Sequence, residues 1–475
     1  MRFTNLTRHT EIGANSYLLE LGGQRVVLDC GMHPKREGDE ATPNLRLVPD
    51  GELDAIFVSH AHLDHIGSLP VLMRRQPRAR VFMSQPTAYL GEALLHNSVN
   101  VMARPNGAPA NGHDRGQHQQ ASANLLFTHR EADQFAQVWQ ACALRQPWSL
   151  EGERVSRPQP DETTFEFYDA GHILGSVGIL FRAEGKRVFY TGDVNFADQT
   201  ISQSAGFPGL NGEADLEPLD ALIVETTRGD HPAAPNTERG REEDRLAACL
   251  KAVFAREGAV LIPVFALGKT QEMLATFLHF KQRGLLGDVP IYIGGLSTKM
   301  TEIYDRFADS TPRLLPGISL LHSVAPYVLS GREAGSSPIK SRRVYALSSG
   351  MMTEHTLSNV FARRMLADPR NAIFFVGYAD PESPAGKLRA AKDGDLVQLD
   401  SEAPPVPKRC QVEVFDFSAH SRRDEILAYI LKVSPKKVIL VHGDVGAIEW
   451  FKQELAVQAP GMEVIVPPPG EAVEI

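Results

Sequence analysis

Residues 54–68 read DAIFVSHAHLDHIGS, a short apolar run that leads directly into four side chains able to bind a metal ion. The apolar run predicts a strand, and SLPVLMRR, which starts at residue 68, predicts a helix. Imidazole and carboxylate groups are good ligands for borderline divalent ions, zinc above all. The spacing therefore predicts a zinc site in the turn after the strand, with four candidate ligands within six residues: His60, His62, Asp64 and His65.

Three further candidate ligands stand at the ends of other apolar runs. Histidines two residues apart point the same way from an extended chain, and the Asp-His pair that follows them bends toward a second position. Two ions about 3.5–4 Å apart need more ligands, including a bridging carboxylate. Taken singly, a polar residue at a strand end is usually a loop residue. Together with the cluster, the three complete two sites: His172 in GHILGS, Asp193 in YTGDVNF and His442 in ILVHGD.

The composition is that of a globular protein. The chain has 475 residues, 43% hydrophobic and 23% charged, which allows two or three domains and excludes disorder as the main state. The net charge of −9 argues against a non-specific nucleic-acid coat protein but not against a local cationic cleft. The four cysteines are far apart, which argues against a disulfide framework. No transmembrane run and no secretion signal are present in the sequence, so we expect a soluble, cytoplasmic protein with no membrane partner.

The pattern of predicted elements changes along the chain. Asn15–Leu21 and Arg25–Leu28 flank a Gly-Gly pair and predict a hairpin. After Glu225, helices and strands alternate, which is typical of a parallel sheet. Residues 105–124 are rich in Pro, Gly, Asn and Gln and predict a loop or insertion, in which His113 and His118 are expected to be solvated.

The ordered set of these residues resembles the metallo-β-lactamase superfamily, with Asp29 in LDCG preceding the cluster. Glu225 in VETTRGD, His420 in FSAH and His442 in VHGD resemble three acidic and histidine motifs of its β-CASP nuclease branch. LIPVFALGKTQEML, SSGMM and VGYADPESPAGKL are also similar to that branch. The resemblance covers nearly the whole chain. It points to the RNA-processing members related to the pre-mRNA cleavage subunit and to RNase J-like enzymes.

The resemblance implies an α/β fold, an αββα metallo-β-lactamase sandwich with an inserted β-CASP domain whose parallel sheet is flanked by helices. The expected domains are 1–229 and 410–475 for the two parts of the sandwich and 230–409 for the insert. The implied activity is hydrolysis of nucleic-acid phosphodiester bonds. Within the branch, histidine at the position of His442 is associated with RNA, whereas DNA-processing members often carry valine there. Endonuclease and 5′-exonuclease modes both stay open.

The resemblance also implies a role for each candidate residue. His60, His62 and His172 are expected to hold one Zn²⁺ ion. The second ion is expected on Asp64, His65 and His442, with Asp193 as the bridge and a hydroxide between the two ions as the nucleophile. Asp29 is expected to support the ligands without binding metal. The expected catalytic residues are Asp64, Glu225 and His420, with His420 as the general acid and Glu225 as the group that orients or charges it.

The candidate substrate contacts have equally plausible structural roles. Backbone N–H groups of Ser348, Ser349 and Gly350 could bind a phosphate, or the three could simply form a tight turn. Lys269 could meet a phosphate or be solvated. Four further cations could form a positively charged rim of the cleft or could simply be exposed charges: Lys387, Arg389, Arg422 and Arg423. Many family members have a Gly-Gly pair where this chain has Glu354 and His355, which leaves the substrate's length and end preference open.

Features of the sequence bear on three rival functions. A thioester, lactam or lactone hydrolase would need no large insert between Glu225 and His420. A DNA nuclease is disfavoured by His442. A non-catalytic RNA-binding scaffold subunit would have lost ligands, and this chain keeps all seven. The expected partner is an RNA substrate, and homodimerisation through the core is left open.

Overall fold

The structure is a computed structural model, and it describes residues 1–103, 125–210, 217–232, 238–330 and 335–475. His113 and His118, predicted to lie in a solvated loop, fall outside the described residues. No described helix has the length and apolar character needed to cross a membrane.

The strands of the described chain, β1 to β22 in order, are Arg2–Asn5, Tyr17–Leu21, Gln24–Leu28, Ala55–Phe57, Arg80–Met83, Trp139–Ala141, Pro147–Ser149, Thr164–Asp169, Val177–Ala183, Lys186–Tyr190, Ala221–Glu225, Val260–Pro263, Ile291–Gly294, Tyr327–Leu329, Val344–Leu347, Ala372–Phe375, Leu396–Val397, Val406–Pro407, Gln411–Val414, Lys437–Val441, Glu463–Ile465 and Ala472–Glu474. The α-helices of the same residues, α1 to α12 in order, are Leu63–Ile66, Leu69–Arg75, Gln85–Met102, His129–Ala136, Arg239–Ala255, Lys269–Gln282, Gly295–Arg306, Leu320–Val324, Leu357–Met365, Pro384–Ala390, Arg423–Val433 and Val445–Gln458.

Two seven-stranded sheets pack face to face. Their strand orders are β22-β1-β2-β3-β4-β5-β6 and β21-β20-β11-β10-β9-β8-β7. Phe57 of the first sheet packs edge-on against Phe165 and Phe181 of the second, with ring centroids 4.7 and 5.0 Å apart. Edge-to-face contacts of this kind stabilise a core beyond the burial of apolar area alone.

Helices cover both outer faces of this sandwich. On the first sheet, Ile66 and Leu72 of α1 and α2 pack with Ile56 of β4. On the second, Ile430 of α11 and Phe451 of α12 share a buried cluster with strand residues of the sheet. The four layers confirm the predicted αββα sandwich.

A third sheet is parallel throughout, with the order β14-β13-β15-β12-β16-β19. Buried apolar clusters lie on its two faces, beneath α5 to α7 on one side and α9 and α10 on the other. The alternation of helices and strands therefore produces the expected inserted parallel sheet. Its last strand, β19, begins at Gln411, so the sheet continues past residue 409. The domain boundaries themselves stay predictions.

Local predictions agree with the structure in the regular elements. The predicted hairpin forms, with Leu21 paired to Gln24 across the turn. The Pro-rich run at residues 404–407 contributes β18, which pairs with β17 in a small ribbon. Helix α12 was not anticipated, although it covers the second sheet. The strands that carry the candidate ligands end at one side of the sandwich, where the site lies.

Candidate active site

The first group of candidate ligands brings three imidazoles onto one carboxylate. Nε2 of His60 lies 3.2 Å from Nδ1 of His62, and Nε2 of His172 lies 3.1 Å from the same Nδ1. Oδ2 of Asp193 lies 3.6 Å from His60 Nε2 and 3.7 Å from His172 Nε2. The ligating atoms of these four residues all lie within 4.8 Å of one another.

The second group lies on the other side of the same aspartate. Nε2 of His65 is 3.2 Å from Nε2 of His442, and Oδ2 of Asp64 is 3.7 and 3.5 Å from those two nitrogens. Oδ1 of Asp193 lies 3.4 Å from His65 Nε2. One oxygen of Asp193 therefore faces each group, which is the geometry a bridging carboxylate needs.

The arrangement of these residues fits a bound cation. The evidence is one oxygen of Asp193. Its Oδ1 is fully buried and has no hydrogen-bond partner, although a buried carboxylate oxygen is normally satisfied. A positive ion between the converging imidazole nitrogens would satisfy it. The donor atoms are nitrogen and oxygen, a set that suits zinc.

Burial keeps the imidazoles of the first group neutral, as metal ligation requires. It lowers the pKa of His62 to about 4, and it holds the pKa of His60 and of His172 well below the ordinary histidine value. Neighbouring imidazoles add to the effect for His60, and His420 adds to it for His172. Neutral nitrogens therefore point into the first site.

The second group is dominated by its carboxylates. Burial acts to lower the pKa of His65, but Asp193, Asp64 and Asp29 outweigh it and raise that pKa well above the ordinary value. Burial acts to raise the pKa of Asp64, but the neighbouring imidazoles of His65 and His442 lower it to about 2. This side of the site thus carries negative charge that attracts a cation.

Hydrogen bonds behind the candidate ligands orient three of the histidines, His65, His172 and His442. Nδ1 of His65 donates to Oδ2 of Asp29 over 2.8 Å, leaving Nε2 for a metal. Nδ1 of His172 donates to the carbonyl oxygen of Ala419 over 2.9 Å. Nδ1 of His442 lies 2.8 Å from Oγ1 of Thr227. Such partners fix tautomer and orientation in metal sites.

The carboxylate of Asp29 accepts several hydrogen bonds behind the candidate ligands. The hydroxyls of Tyr190 and Ser59 donate to its Oδ2 over 2.6 and 2.7 Å, and the Ser59 amide donates to its Oδ1 over 2.7 Å. The side chain is fully buried. Sequence reasoning placed Asp29 near the ligands but missed Tyr190, Ser59 and Thr227. The sequence offers one signal for them, because each stands within three residues of a named site residue.

His420 and Glu225 meet beside the carboxylate of Asp193. Nδ1 of His420 lies 3.1 Å from Oε2 and 3.2 Å from Oε1 of Glu225, and its Nε2 lies 3.9 Å from Oδ2 of Asp193. Burial acts to lower the pKa of His420, but the carboxylates of Glu225 and Asp193 outweigh it and raise that pKa. The imidazole is 22% exposed, so it can hold a proton and still reach a bound molecule.

Two residues of the inserted domain, together with Arg228, hold the loop that carries His420. Asp416 accepts a hydrogen bond from Arg228 over 2.9 Å, and its own amide donates to Glu242 over 2.9 Å. The guanidinium of Arg239 lies 4.2 Å from the ring centroid of Phe417. The insert therefore positions a catalytic candidate of the sandwich, a contact that sequence reasoning missed.

The candidate phosphate-binding turn follows β15 and is closed by its own hydrogen bonds. The Ser349 hydroxyl accepts from the amide of Thr353 over 3.0 Å, and the carbonyl of Ser349 accepts from the hydroxyl of Ser358 over 2.6 Å. Ser348 is half-buried and Gly350 is buried. These bonds match a tight turn, and a phosphate-binding role stays a prediction.

The candidate cations divide by exposure. Lys269 is buried, and its Nζ donates to the carbonyl of Phe417. Of the two alternatives for this residue, the structure therefore does not show the solvated side chain. Arg423 lies over Trp450, with Cζ 4.3 Å from the ring centroid, and donates to the Gly229 carbonyl. The predicted cationic rim is therefore reduced on the described surface. Its exposed members are Lys387 and Arg389, while Arg422 is half-buried.

Three family models match successive parts of the chain. The model described as "Metallo-beta-lactamase superfamily" matches residues 9–126, and "Beta-Casp domain" matches residues 270–388. The model described as "Zn-dependent metallo-hydrolase RNA specificity domain" matches residues 405–467, which contain His420 and His442.

Curated relatives match along nearly the whole chain. "Ribonuclease TTHA0252" of Thermus thermophilus is 28% identical over 484 residues, covering 100% of both chains. "RNase J-like protein" of Methanocaldococcus jannaschii is 27% identical over 438 residues, 91% of this chain and 90% of that protein. "Endoribonuclease YSH1" of Eremothecium gossypii is 28% identical over 475 residues, 96% of this chain, which spans only 56% of that protein's length.

A solved structure shares the fold. It is a protein of unknown function from Enterococcus faecalis, which aligns over 100% of this chain and 99% of its own with a TM-score of 0.57 at 13% identity. At that identity the likeness concerns architecture alone.

Proposed function

Because the chain belongs to the metallo-β-lactamase superfamily, in its β-CASP RNA-processing branch, we propose that it is a zinc-dependent ribonuclease that hydrolyses RNA phosphodiester bonds. The observation that carries the proposal is the arrangement around Asp193. Two ligand groups face its carboxylate, and Nε2 of His420, whose Nδ1 contacts Glu225, lies 3.9 Å from it. A hydrolytic metal site with a proton donor at its side is what phosphodiester cleavage requires.

The proposal includes two zinc ions. His60, His62 and His172 would hold one, Asp64, His65 and His442 the other, and Asp193 would bridge them. When bound, zinc lowers the pKa of coordinated water to about 7 and neutralises charge on phosphate oxygens. The unpartnered Oδ1 of Asp193 and the two facing groups support a count of two.

His420 acts as the proton donor to the leaving oxygen. Glu225 accepts from Nδ1 of His420, which leaves the proton on Nε2 facing the site. Oε1 of Glu225 also accepts from the Val194 amide over 2.6 Å, which fixes the carboxylate. Glu225 and Asp193 raise the pKa of His420 against the effect of burial, which favours the protonated imidazole that a proton donor needs.

RNA is the favoured substrate over the rivals. The RNA specificity domain match spans the segment that supplies both His420 and His442, and relatives of full-length coverage carry ribonuclease names. A small-molecule hydrolase has no use for an inserted parallel sheet whose residues hold the His420 loop. A metal-free scaffold has no need of the converging ligands.

Cleavage of matched RNA and DNA oligonucleotides, labelled at either end, tests the proposal. The zinc-loaded protein should cut RNA, and the Asp64→Ala/His65→Ala variant should not. His96→Ala, which removes a histidine remote from Asp193, is the matched control and should cut normally. The product ladder separates internal from end-directed attack. No cutting of RNA by protein shown to hold two zinc ions would contradict the proposal.

Homodimerisation and a cytoplasmic location remain predictions. Light scattering on the zinc-loaded protein gives the mass in solution and decides the first. Fractionation of the source cells decides the second.

A further inference from the structure

Two exposed aromatic side chains stand out against a chain that buries most of its aromatic rings. Phe265 is 39% exposed and Tyr378 is 52% exposed. Among the described residues with large exposed apolar side chains, Tyr327 is the third aromatic one. Exposed aromatic rings that cluster at one place mark binding surfaces more often than isolated ones do.

Phe265 and Tyr378 follow neighbouring strands of the inserted sheet. Phe265 comes two residues after β12, and Tyr378 comes three residues after β16, and these strands pair in parallel. The carboxyl ends of parallel strands meet at one edge of a sheet, so both rings belong to the same edge. β19, which leads to His420, ends at that edge as well.

The metal centre lies against this edge. A methyl group on Gly268, three residues after Phe265, would lie 4.0 Å from Nε2 of His62. A methyl group on Gly377, next to Tyr378, would lie 3.7 Å from Cε of Lys269. Lys269 in turn donates to the carbonyl of Phe417 in the His420 loop. Both aromatic segments therefore reach the surroundings of the catalytic groups.

The Phe265 ring is held in place, and the charged groups near Tyr378 are Asp380, Asp444 and Asp230 as well as Arg389. A methyl group on Gly350 would lie 3.0 Å from Cε2 of Phe265, so that ring is backed by the turn after β15. Helix α10, which begins six residues after Tyr378, carries the exposed side chains of Lys387 and Arg389. Surfaces that bind single-stranded nucleic acid combine aromatic rings with cations that track the backbone.

We propose that Phe265 and Tyr378 form a stacking platform for unpaired bases of the RNA strand beside the scissile phosphate. The inference rests on the proposed ribonuclease function and adds to it that the substrate is single-stranded at this point. Stacked bases in a duplex cannot lie on protein rings, so duplex RNA must open before cleavage. Because every base has a π face, the platform tolerates any sequence.

Tyr327 provides a matched control. It is 56% exposed and belongs to β14. This strand forms the opposite edge of the inserted sheet from β16 and β19. Its ring stacks on Tyr292 with centroids 5.0 Å apart. Removing its ring changes exposed aromatic area without touching the proposed platform.

The experiment compares Phe265→Ala, Tyr378→Ala, Phe265→Tyr, Tyr378→Phe and Tyr327→Ala on two substrates. One is a single-stranded RNA oligonucleotide, and the other has abasic residues on both sides of the cleaved bond. On intact RNA each alanine variant should raise KM about 5- to 150-fold, the change that corresponds to one lost base–aromatic stack. The aromatic replacements should raise KM much less than the alanine variants do, and Tyr327→Ala should keep the wild-type KM. On the abasic substrate all six proteins should behave alike.

The outcomes separate this inference from the function on which it rests. Wild-type KM values for both alanine variants on intact RNA would overturn the platform. The proposed ribonuclease function would still stand in that case, because the wild-type protein cuts RNA. If wild-type protein cut no RNA, the function would fail, and fluorescence anisotropy with the same RNA would still test the platform through weaker binding by the alanine variants. A change of mass in light scattering on Phe265→Ala or Tyr378→Ala would show a contact between copies of the chain and overturn the platform.

Discussion

At the residue scale, His420 differs from the candidate metal ligands in its hydrogen-bond partner. Its Nδ1 contacts both oxygens of Glu225, although its Nε2 lies 3.9 Å from Asp193. His420→Ala should therefore lower kcat on RNA by about 100- to 10,000-fold, the usual contribution of a general acid, while zinc content stays at the wild-type value. Cleavage rates and elemental analysis of the same preparation check both parts. Loss of zinc together with activity would move His420 into the ligand set.

The charge on Glu225 sets the protonation of His420. Burial alone would lower the pKa of His420, and Glu225 is the first of the groups that raise it. Glu225→Gln keeps the oxygen that accepts from Val194 but removes the charge, so the pKa of His420 should fall. Since a general acid must be protonated, the alkaline limb of the kcat/KM profile should move to lower pH. An unchanged limb in a zinc-loaded variant would exclude His420 as the acid.

Asp29 controls the second metal position through His65. Its carboxylate accepts from Nδ1 of His65 and from two hydroxyls. Asp29→Asn should weaken zinc binding about 10- to 100-fold, as loss of such partners does in other zinc sites. Competition with a chromophoric chelator measures the affinity. Asp54→Asn, an exposed aspartate that accepts from the Arg25 amide, should leave it unchanged.

At the element scale, the metal-binding turn rests on the residue Asn15 before β2 and on the chain segment that follows β3. The amides of Asn15, Cys30 and Met32 donate to the carbonyls of Asp64, His65 and Leu63 over 2.9, 2.7 and 2.7 Å. These bonds replace the long helix that usually presents histidines at fixed spacing. They require the two segments to approach closely, and Gly31 provides the space.

Gly31→Ala should disturb both the fold and the site. Its Cβ would lie 1.7 Å from the carbonyl oxygen of Asp64, so the turn must move. Overpacking of this kind costs about 1–3 kcal/mol, and displacement of Asp64 should weaken zinc binding as well. Urea unfolding and zinc titration measure the two effects. Gly240→Ala in α5, where a Cβ meets nothing within 4 Å, should be neutral or slightly stabilising. Wild-type stability of Gly31→Ala would show that the turn adapts freely.

At the scale of the whole molecule, the metal centre ties the two sheets of the sandwich together. His60 follows β4 of the first sheet, while Asp193 and His442 follow β10 and β20 of the second. Without a cation, the carboxylates of Asp64 and Asp193 repel each other across the centre. An ion that binds the native state alone stabilises it by about 2.7 kcal/mol at 100 times its Kd.

Removal of zinc should therefore lower the thermal unfolding midpoint and abolish RNA cleavage together. Dialysis against a chelator, followed by calorimetry and a cleavage assay, measures both, and added zinc should restore both. The Asp64→Ala/His65→Ala variant is the control, because its midpoint should respond less to the chelator. An unchanged midpoint in the wild-type chain would mean that the ions contribute to chemistry alone.

Regular elements and the candidate ligands could be predicted because their signals are local. The strand before His60 and the hairpin at Gly22 depend on apolar runs and turn residues that are contiguous in the chain. The candidate ligands could be predicted because histidine and aspartate side chains indicate metal binding by their chemical type. Helix α12 was missed because it depends on packing against the second sheet, to which no single stretch of the sequence points.

The sequence by itself determined the chemistry available to this protein, because six residues after one strand hold four ligand side chains whatever surrounds them. Only the tertiary structure decided how that chemistry is arranged. It turned Lys269 inward to the Phe417 carbonyl, gave Asp29 its place behind His65 and brought Phe265 and Tyr378 to one sheet edge. These contacts join residues far apart in the chain, and their geometry follows from how strands pair and sheets pack.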